Sequence, residues 1–154
     1  MLAPGDLLPN PELLSGEGKS VRLHDCFGDS ALVIYFYPKD HTFGCTIESC
    51  DFRDQYQAFL AQGAQVVGIS RDDVRSHQSF IRQHGLPFPL LSDAQGTAHR
   101  LFGVKKVLGV LPARVTFVAL RPGVVRHVYQ SELAFRAHAT DALNALKRLK
   151  SPAI

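Results

Sequence analysis

The sequence predicts an α/β domain with a mixed central sheet flanked by helices, on three observations. Short β-branched and apolar runs alternate with helical patterns along most of the chain. Glycine or proline punctuates nearly every change of pattern, at Pro38, Gly63, Gly85 and Gly103. Near the C-terminus, two strand-like runs are separated only by Arg121-Pro122-Gly123, a turn of hairpin length. The expected order is βαβαβαββα, giving a parallel core with an antiparallel hairpin and a C-terminal helix. With 154 residues and 45% apolar content the chain suits one well-buried domain over 1–154. Internal repeats, low-complexity tracts and linkers are not visible in it.

Taken in order, residues 1–20 hold Pro4, Pro9 and Pro11 and read as an extended arm and a turn, leading to a short strand at Val21–Leu23. Cys26 reads as a small buried apolar side chain. Ala31–Tyr37, ALVIYFY, suits a central strand buried on both faces and ends at Pro38. After a polar turn, a helix carries Phe52, Tyr56, Phe59 and Leu60 at i, i+4, i+7 and i+8 and stops at Gly63. Ala64–Ser70 is a second buried strand. Asp72-Asp73 open a helix through His84, with Gly85 as its stop. A short strand at Phe88–Leu91 and a brief helix from Gln95 to Phe102 follow. Arg114–Leu120 and Val124–Tyr129 form the hairpin, and a helix over 135–150, closed by Pro152, completes the chain.

Composition removes several function classes. The net charge of +3 is mild, and its Lys and Arg residues come singly or in pairs such as Lys105-Lys106, so nucleic acid is not an expected partner. No apolar run approaches a membrane span, and the N-terminus has neither a basic start nor a hydrophobic signal core. Three unevenly spaced cysteines do not form a secreted disulfide framework. These features predict a cytoplasmic protein with no membrane contact.

The chemistry concentrates in Tyr35 to Asp54, YFYPKDHTFGCTIESCDFRD. Cys45 falls in the first turn of the helix, where free backbone N–H groups and the positive end of the helix dipole favour thiolate over thiol. At 100° per residue Cys45 lies within about 20° of Phe52, on the inward face, whereas Cys50 lies roughly 160° away. Their Cα atoms would stand roughly 8–9 Å apart in an ideal helix, beyond the about 7 Å that a disulfide spans. Any pairing of the two requires the helix to unwind.

Pro38, Thr42 and Cys45 in the arrangement P-x-x-x-T-x-x-C, followed by Thr46, Glu48, Cys50 and Phe52-Arg53-Asp54, resemble the active-site segment of the peroxiredoxins. Within them the G-C-T-x-E-x-C-x-F-R-D pattern is similar to the bacterioferritin comigratory protein, or Q-type, subfamily. The resemblance extends through Gly5-Asp6 and Pro9, Lys39-Asp40, Leu91-Ser92-Asp93, Phe102-Gly103-Val104, and Arg114 before Thr116-Phe117-Val118. Pro11, Cys26 and Ala119-Leu120 depart from it, away from the site.

This resemblance implies a thioredoxin-like fold and thiol-dependent reduction of hydrogen peroxide and organic hydroperoxides, with no cofactor and no metal. It implies that Cys45 is the peroxidatic thiol, oxidised to a sulfenic acid, and that Cys50 resolves it as an intramolecular disulfide. Thioredoxin or a glutaredoxin-like dithiol protein is the implied reductant, and an internal resolving thiol makes a monomer sufficient. The amides around Gly44 and Cys45, the Thr42 hydroxyl and the Arg114 guanidinium would hold the peroxide oxygens in line. Pro38 would pack over the thiol, and Glu48 would orient Arg114.

Two other classes compete. A metal-binding module could use His41, Cys45 and Cys50, but zinc wants four ligands and the C-x4-C spacing lacks a second pair; His41 reads instead as a solvated turn residue. A peroxide sensor or general thiol-disulfide oxidoreductase is the other alternative, the latter normally carrying C-x-x-C.

Overall fold

The computed structural model describes residues 1–150. A 7-stranded mixed sheet forms its centre, in the order β2-β1-β5-β4-β3-β8-β9. The middle strands β3 (Ala31–Phe36), β4 (Ala64–Ser70) and β5 (Leu90–Ser92) run parallel, each return being made by a helix. The hairpin of β8 (Val115–Leu120) and β9 (Val124–Gln130) adds antiparallel to β3. At the other edge β1 (Glu12–Ser15) pairs antiparallel with both β2 (Ser20–Arg22) and β5.

Every residue of β3 is buried, so its side chains feed two cores. Ala31, Val33 and Tyr35 join Phe52, Phe59, Phe80, Ala142 and Leu146 on one face. This face is covered by α1 (Phe43–Asp54), α2 (Tyr56–Ala61), α3 (Val74–His84) and α5 (Ala137–Lys150). Leu32, Ile34 and Phe36 join Ile69, Phe102 and Phe117 on the other, with α4 (Thr97–Phe102). A two-faced apolar run of this kind is what a central strand requires.

The structure corrects several expected elements. The N-terminal arm contains a strand, β1, whose apolar alternation is short and lies directly behind Pro9 and Pro11. Its partner occupies Ser20–Arg22 rather than 21–23, because Leu23 turns inward to start a 3₁₀ turn, Leu23–Cys26. Cys26 in that turn is only half-buried, and burial pushes its thiol up to about 11. The long helix is two: Gln55, at φ −99° and ψ 6°, separates α1 from α2, and Leu60 of the expected stripe is 41% exposed. The strand expected at 88–91 begins at Leu90, since Pro87 and Pro89 supply no N–H to a ladder. A small hairpin, β6 (Lys106–Val107) with β7 (Leu111–Pro112), adds to the expected elements. The expected stop of the last helix at Pro152 lies outside the described residues. Among the described residues, no helix is long and apolar enough to cross a membrane.

Candidate active site

The site is built where β3 hands over to α1. Pro38 ends the strand run, His41 takes a left-handed conformation at φ 64°, and Thr42 is the residue from which α1 starts. The Thr42 hydroxyl donates to the Lys39 carbonyl at 2.7 Å, closing the turn on itself. Cys45 is therefore the third residue of α1, among the amides that lack an intrahelical acceptor. Its side chain is 1% exposed. A Cβ on Gly44 beside it would run into the Phe135 ring, so any larger residue there displaces that ring.

Arg114 stands immediately before β8, opposite the start of α1. Its Nη1 donates to Cys45 Sγ at 3.5 Å and to Glu48 Oε1 at 2.7 Å, and its Nε donates to the Glu132 carbonyl at 3.1 Å. The guanidinium also lies 4.9 Å from the centre of the Phe135 ring. Three anchors thus fix a cation against the sulfur. Glu48 is fully buried one turn along α1, and burial, only partly offset by Arg114, pushes its carboxyl up to about 8. The helix itself is held by Phe52, which stacks on Tyr35 at 4.4 Å, and by the Tyr35 hydroxyl, 2.9 Å from Ser49 Oγ.

Cys50 is half-buried on another side of α1, and burial raises its thiol pKa. Both cysteines are free. Pro38 lines a shallow cavity of ≈ 260 Å³ together with Leu108, Val110, Leu111 and Glu132, so the β6–β7 hairpin forms one wall beside the site. Leu108 and Val110 on that wall are strongly exposed, as are Phe43 and Leu133.

A second polar cluster was missed by sequence reasoning. Asp40, in the turn before Cys45, takes Tyr37 OH at 2.5 Å, Ser76 Oγ at 2.8 Å and a contact with His77 Nδ1 at 2.7 Å. Asp72 receives the Asp40 amide at 2.8 Å, and His77 Nε2 meets the Leu91 carbonyl at 3.1 Å. Burial alone would raise the Asp40 carboxyl; the bonds from His77, Tyr37 and Ser76 outweigh it and hold it below the ordinary value. The signal in the sequence was His77 itself, seated on the apolar stripe of α3 between Val74 and Ile81. Asp40, Asp72 and His77 converge within 4.8 Å, but both imidazole nitrogens are already committed to protein partners. Among the described residues, His41, Cys45 and Cys50 form no such group, and the His41 ring packs edge-on to Phe80 at 5.2 Å.

Residues 4–128 match the AhpC/TSA family. The chain belongs to that family. Peroxiredoxin Q of Sedum lineare, chloroplastic, is 42% identical over 147 residues, covering 95% of this chain and 78% of the relative. Peroxiredoxin Q of Triticum aestivum, chloroplastic, is 39% identical over 149 residues, 96% of this chain and 68% of the relative. The crystal structure of peroxidoxin BcpB from Mycobacterium tuberculosis superposes with a TM-score of 0.91 at 40% identity, over 98% of this chain and all of that one. The bacterioferritin comigratory protein of Xanthomonas campestris does so at 0.83 and 36% identity, over 95% of this chain and 100% of that one. This AhpC/TSA chain thus has the thioredoxin-like peroxiredoxin fold and the Q-type kinship that its active-site motif implied. The plant relatives are chloroplastic, so kinship does not carry the cytoplasmic expectation.

Proposed function

We propose that this thiol peroxidase reduces hydrogen peroxide and organic hydroperoxides at Cys45. The observation that carries the proposal is the Arg114 guanidinium, anchored from three sides and donating to the Cys45 sulfur at the first turn of α1. The Cys45 thiolate attacks one peroxide oxygen. The O–O bond breaks, the sulfur is oxidised to a sulfenic acid, and the other oxygen leaves as hydroxide or alkoxide and takes a proton from solvent. Arg114 and the free amides around Gly44 and Cys45 supply donors where that negative charge develops. The Thr42 hydroxyl would reach the peroxide by releasing Lys39, and Pro38 would limit the entry of water. That the Xanthomonas relative is described by its alkyl peroxide reduction activity supports the organic substrates.

Cys50 is the proposed resolving thiol. Its sulfur attacks the Cys45 sulfenic acid, a disulfide forms and water leaves; a dithiol protein such as thioredoxin or a glutaredoxin-like reductant then reduces that disulfide. The first turns of α1 must unwind for this, since the spacing spans about 8–9 Å in a helix. Their attachment is light. Of the buried residues on α1, Gly44, Cys45, Glu48, Ser49 and Phe52, only Phe52 is a large apolar anchor, and it lies beyond Cys50. An internal partner makes a monomer sufficient, and three unevenly spaced cysteines suit a reducing compartment such as the cytoplasm. Peroxide-dependent NADPH oxidation, coupled through thioredoxin reductase and thioredoxin, tests the cycle. Wild type should turn over continuously, whereas Cys50→Ser should consume about one equivalent of peroxide and stall as a sulfenic acid. Undiminished cycling of Cys50→Ser would remove Cys50 as resolver.

A further inference from the structure

Phe135 lies in the segment between β9 and α5 and belongs to neither. Its half-buried ring meets the site at three points. It stands against the Gly44 backbone with no room for a Cβ between them. The Arg114 guanidinium lies 4.9 Å from its centre, and the Phe43 ring meets it edge-on at 6.3 Å. One ring thus meets the first two residues of α1 and the cation that faces Cys45. The segment that carries the ring is tied to the body of the protein rather than to α1. The Ser131 amide donates to the Arg114 carbonyl at 3.3 Å, and the Ser131 carbonyl lies 2.8 Å from Nε2 of the buried His138. The Ala134 amide donates to Ser131 Oγ at 3.2 Å, and the Ala137 amide to the Ala134 carbonyl at 3.0 Å. Where Ile47 follows one turn along α1, by contrast, helix and segment stand apart around a cavity of ≈ 390 Å³. Phe135 is therefore the apolar bridge between that segment and the first turn of α1.

We infer that Phe135 is a positioning residue with opposed effects on the two halves of the cycle: it steadies Arg114 against the Cys45 sulfur, and it keeps α1 wound once that sulfur is oxidised. The hydrogen bonds of Arg114 to Glu48 and to the Glu132 carbonyl act at the edge of a planar cation; the ring adds a hold through its π electrons. That favours the first step, in which the thiolate attacks peroxide. The second step needs the opposite. When the Cys50 sulfur attacks the sulfenic acid, the S–S bond forms, the S–O bond breaks, and hydroxide departs and takes a proton to become water. The residues around Cys45 must leave the helix for this to happen. Gly44 directly precedes Cys45, and its backbone cannot turn outward while the ring stands over it. The missing Cβ therefore serves twice: the ring can close on the backbone, and the backbone turns freely once the ring has left.

The inference rests on Cys45 being the peroxidatic sulfur and Cys50 its resolver, and the test separates the claims. Wild type, F135A and F135L are mixed with hydrogen peroxide, and rapid quench with mass spectrometry reads two rates: formation of the Cys45 sulfenic acid and its conversion to the disulfide. Amide exchange of the reduced proteins is followed alongside. In F135A the disulfide should form about tenfold faster, the scale of one lost aromatic contact, and exchange over residues 43–50 should rise with it. Oxidation of Cys45 should slow about fivefold as Arg114 loses the ring. F135L keeps bulk against Gly44 but has no π face, so oxidation should slow as in F135A while the disulfide forms within about threefold of the wild-type rate. A disulfide rate in F135A no faster than wild type, or faster exchange spread equally over β3 and β8, would overturn the inference. Should F135A not fold, F135L decides, and wild-type oxidation in F135L would overturn it. Absence of a Cys45 sulfenic acid in wild type would instead remove the peroxidase reading, and a sulfenic acid that never pairs with Cys50 would remove the resolving role.

Discussion

At Arg114 a single side chain meets the sulfur, a carboxyl oxygen, a backbone carbonyl and an aromatic face. Only a planar guanidinium with several fixed donors can do this at once; an ammonium is a point charge with no fork. Arg114→Lys is therefore expected to keep the fold and the sign of the charge, but to lower the rate of Cys45 oxidation by about 100-fold, the scale of losing one preorganised donor. Rapid-quench kinetics with hydrogen peroxide check this; a rate within about threefold of wild type would show that charge alone suffices. Of the candidate site, Pro38, Thr42, Cys45, Glu48 and Cys50 are legible as a group because they lie in one short stretch. The cluster of Asp40, Asp72 and His77 was not, because two of its members come from segments that tertiary packing alone brings to the turn.

Among the elements, α3 shows how local chemistry sets a boundary. Asp73 accepts from the Ser76 amide at 2.9 Å at its start, and Gly85 closes it in the left-handed region at φ 60°. Removing that cap in Asp73→Ala should cost about 1 kcal/mol of stability, read as a shift of the denaturant midpoint with unchanged slope. No measurable shift would mean that packing of Phe80 and His77 alone fixes the helix start. Elements with such caps, or with two-faced apolar runs like β3, could be read from sequence. The break at Gln55 could not, because the apolar spacing continues across it from Phe52 to Tyr56 and Phe59 and no glycine or proline marks it. The β6–β7 hairpin escaped for a different reason: two-residue strands carry too little periodicity to be seen.

For the whole molecule, two buried carboxylates tie its parts together. Asp40 links the turn before α1 to α3, and Asp93 caps α4 through the Ala98 and His99 amides. Burial opposes ionisation of each, but hydrogen bonds, led by His77 for Asp40 and by His99 for Asp93, hold both below the ordinary carboxyl value. A group whose folded pKa is depressed contributes stability that is complete above its unfolded value, about 3.9 for Asp, and is lost as pH falls through the folded value. Stability should therefore drop as the solution is acidified below about pH 4. Asp40→Asn should be less stable at neutral pH by about 1–3 kcal/mol and lose less on acidification. Urea titrations at several pH values check this; parallel acid profiles for the two proteins would contradict it. In the proposed reading the same sheet and caps present one sulfur, and that is most directly tested by peroxide consumption in Cys45→Ser. With excess thioredoxin, its reductase and NADPH, the variant should consume hydrogen peroxide no faster than the protein-free mixture while wild type cycles. Turnover at the wild-type rate in Cys45→Ser would contradict the account at its centre.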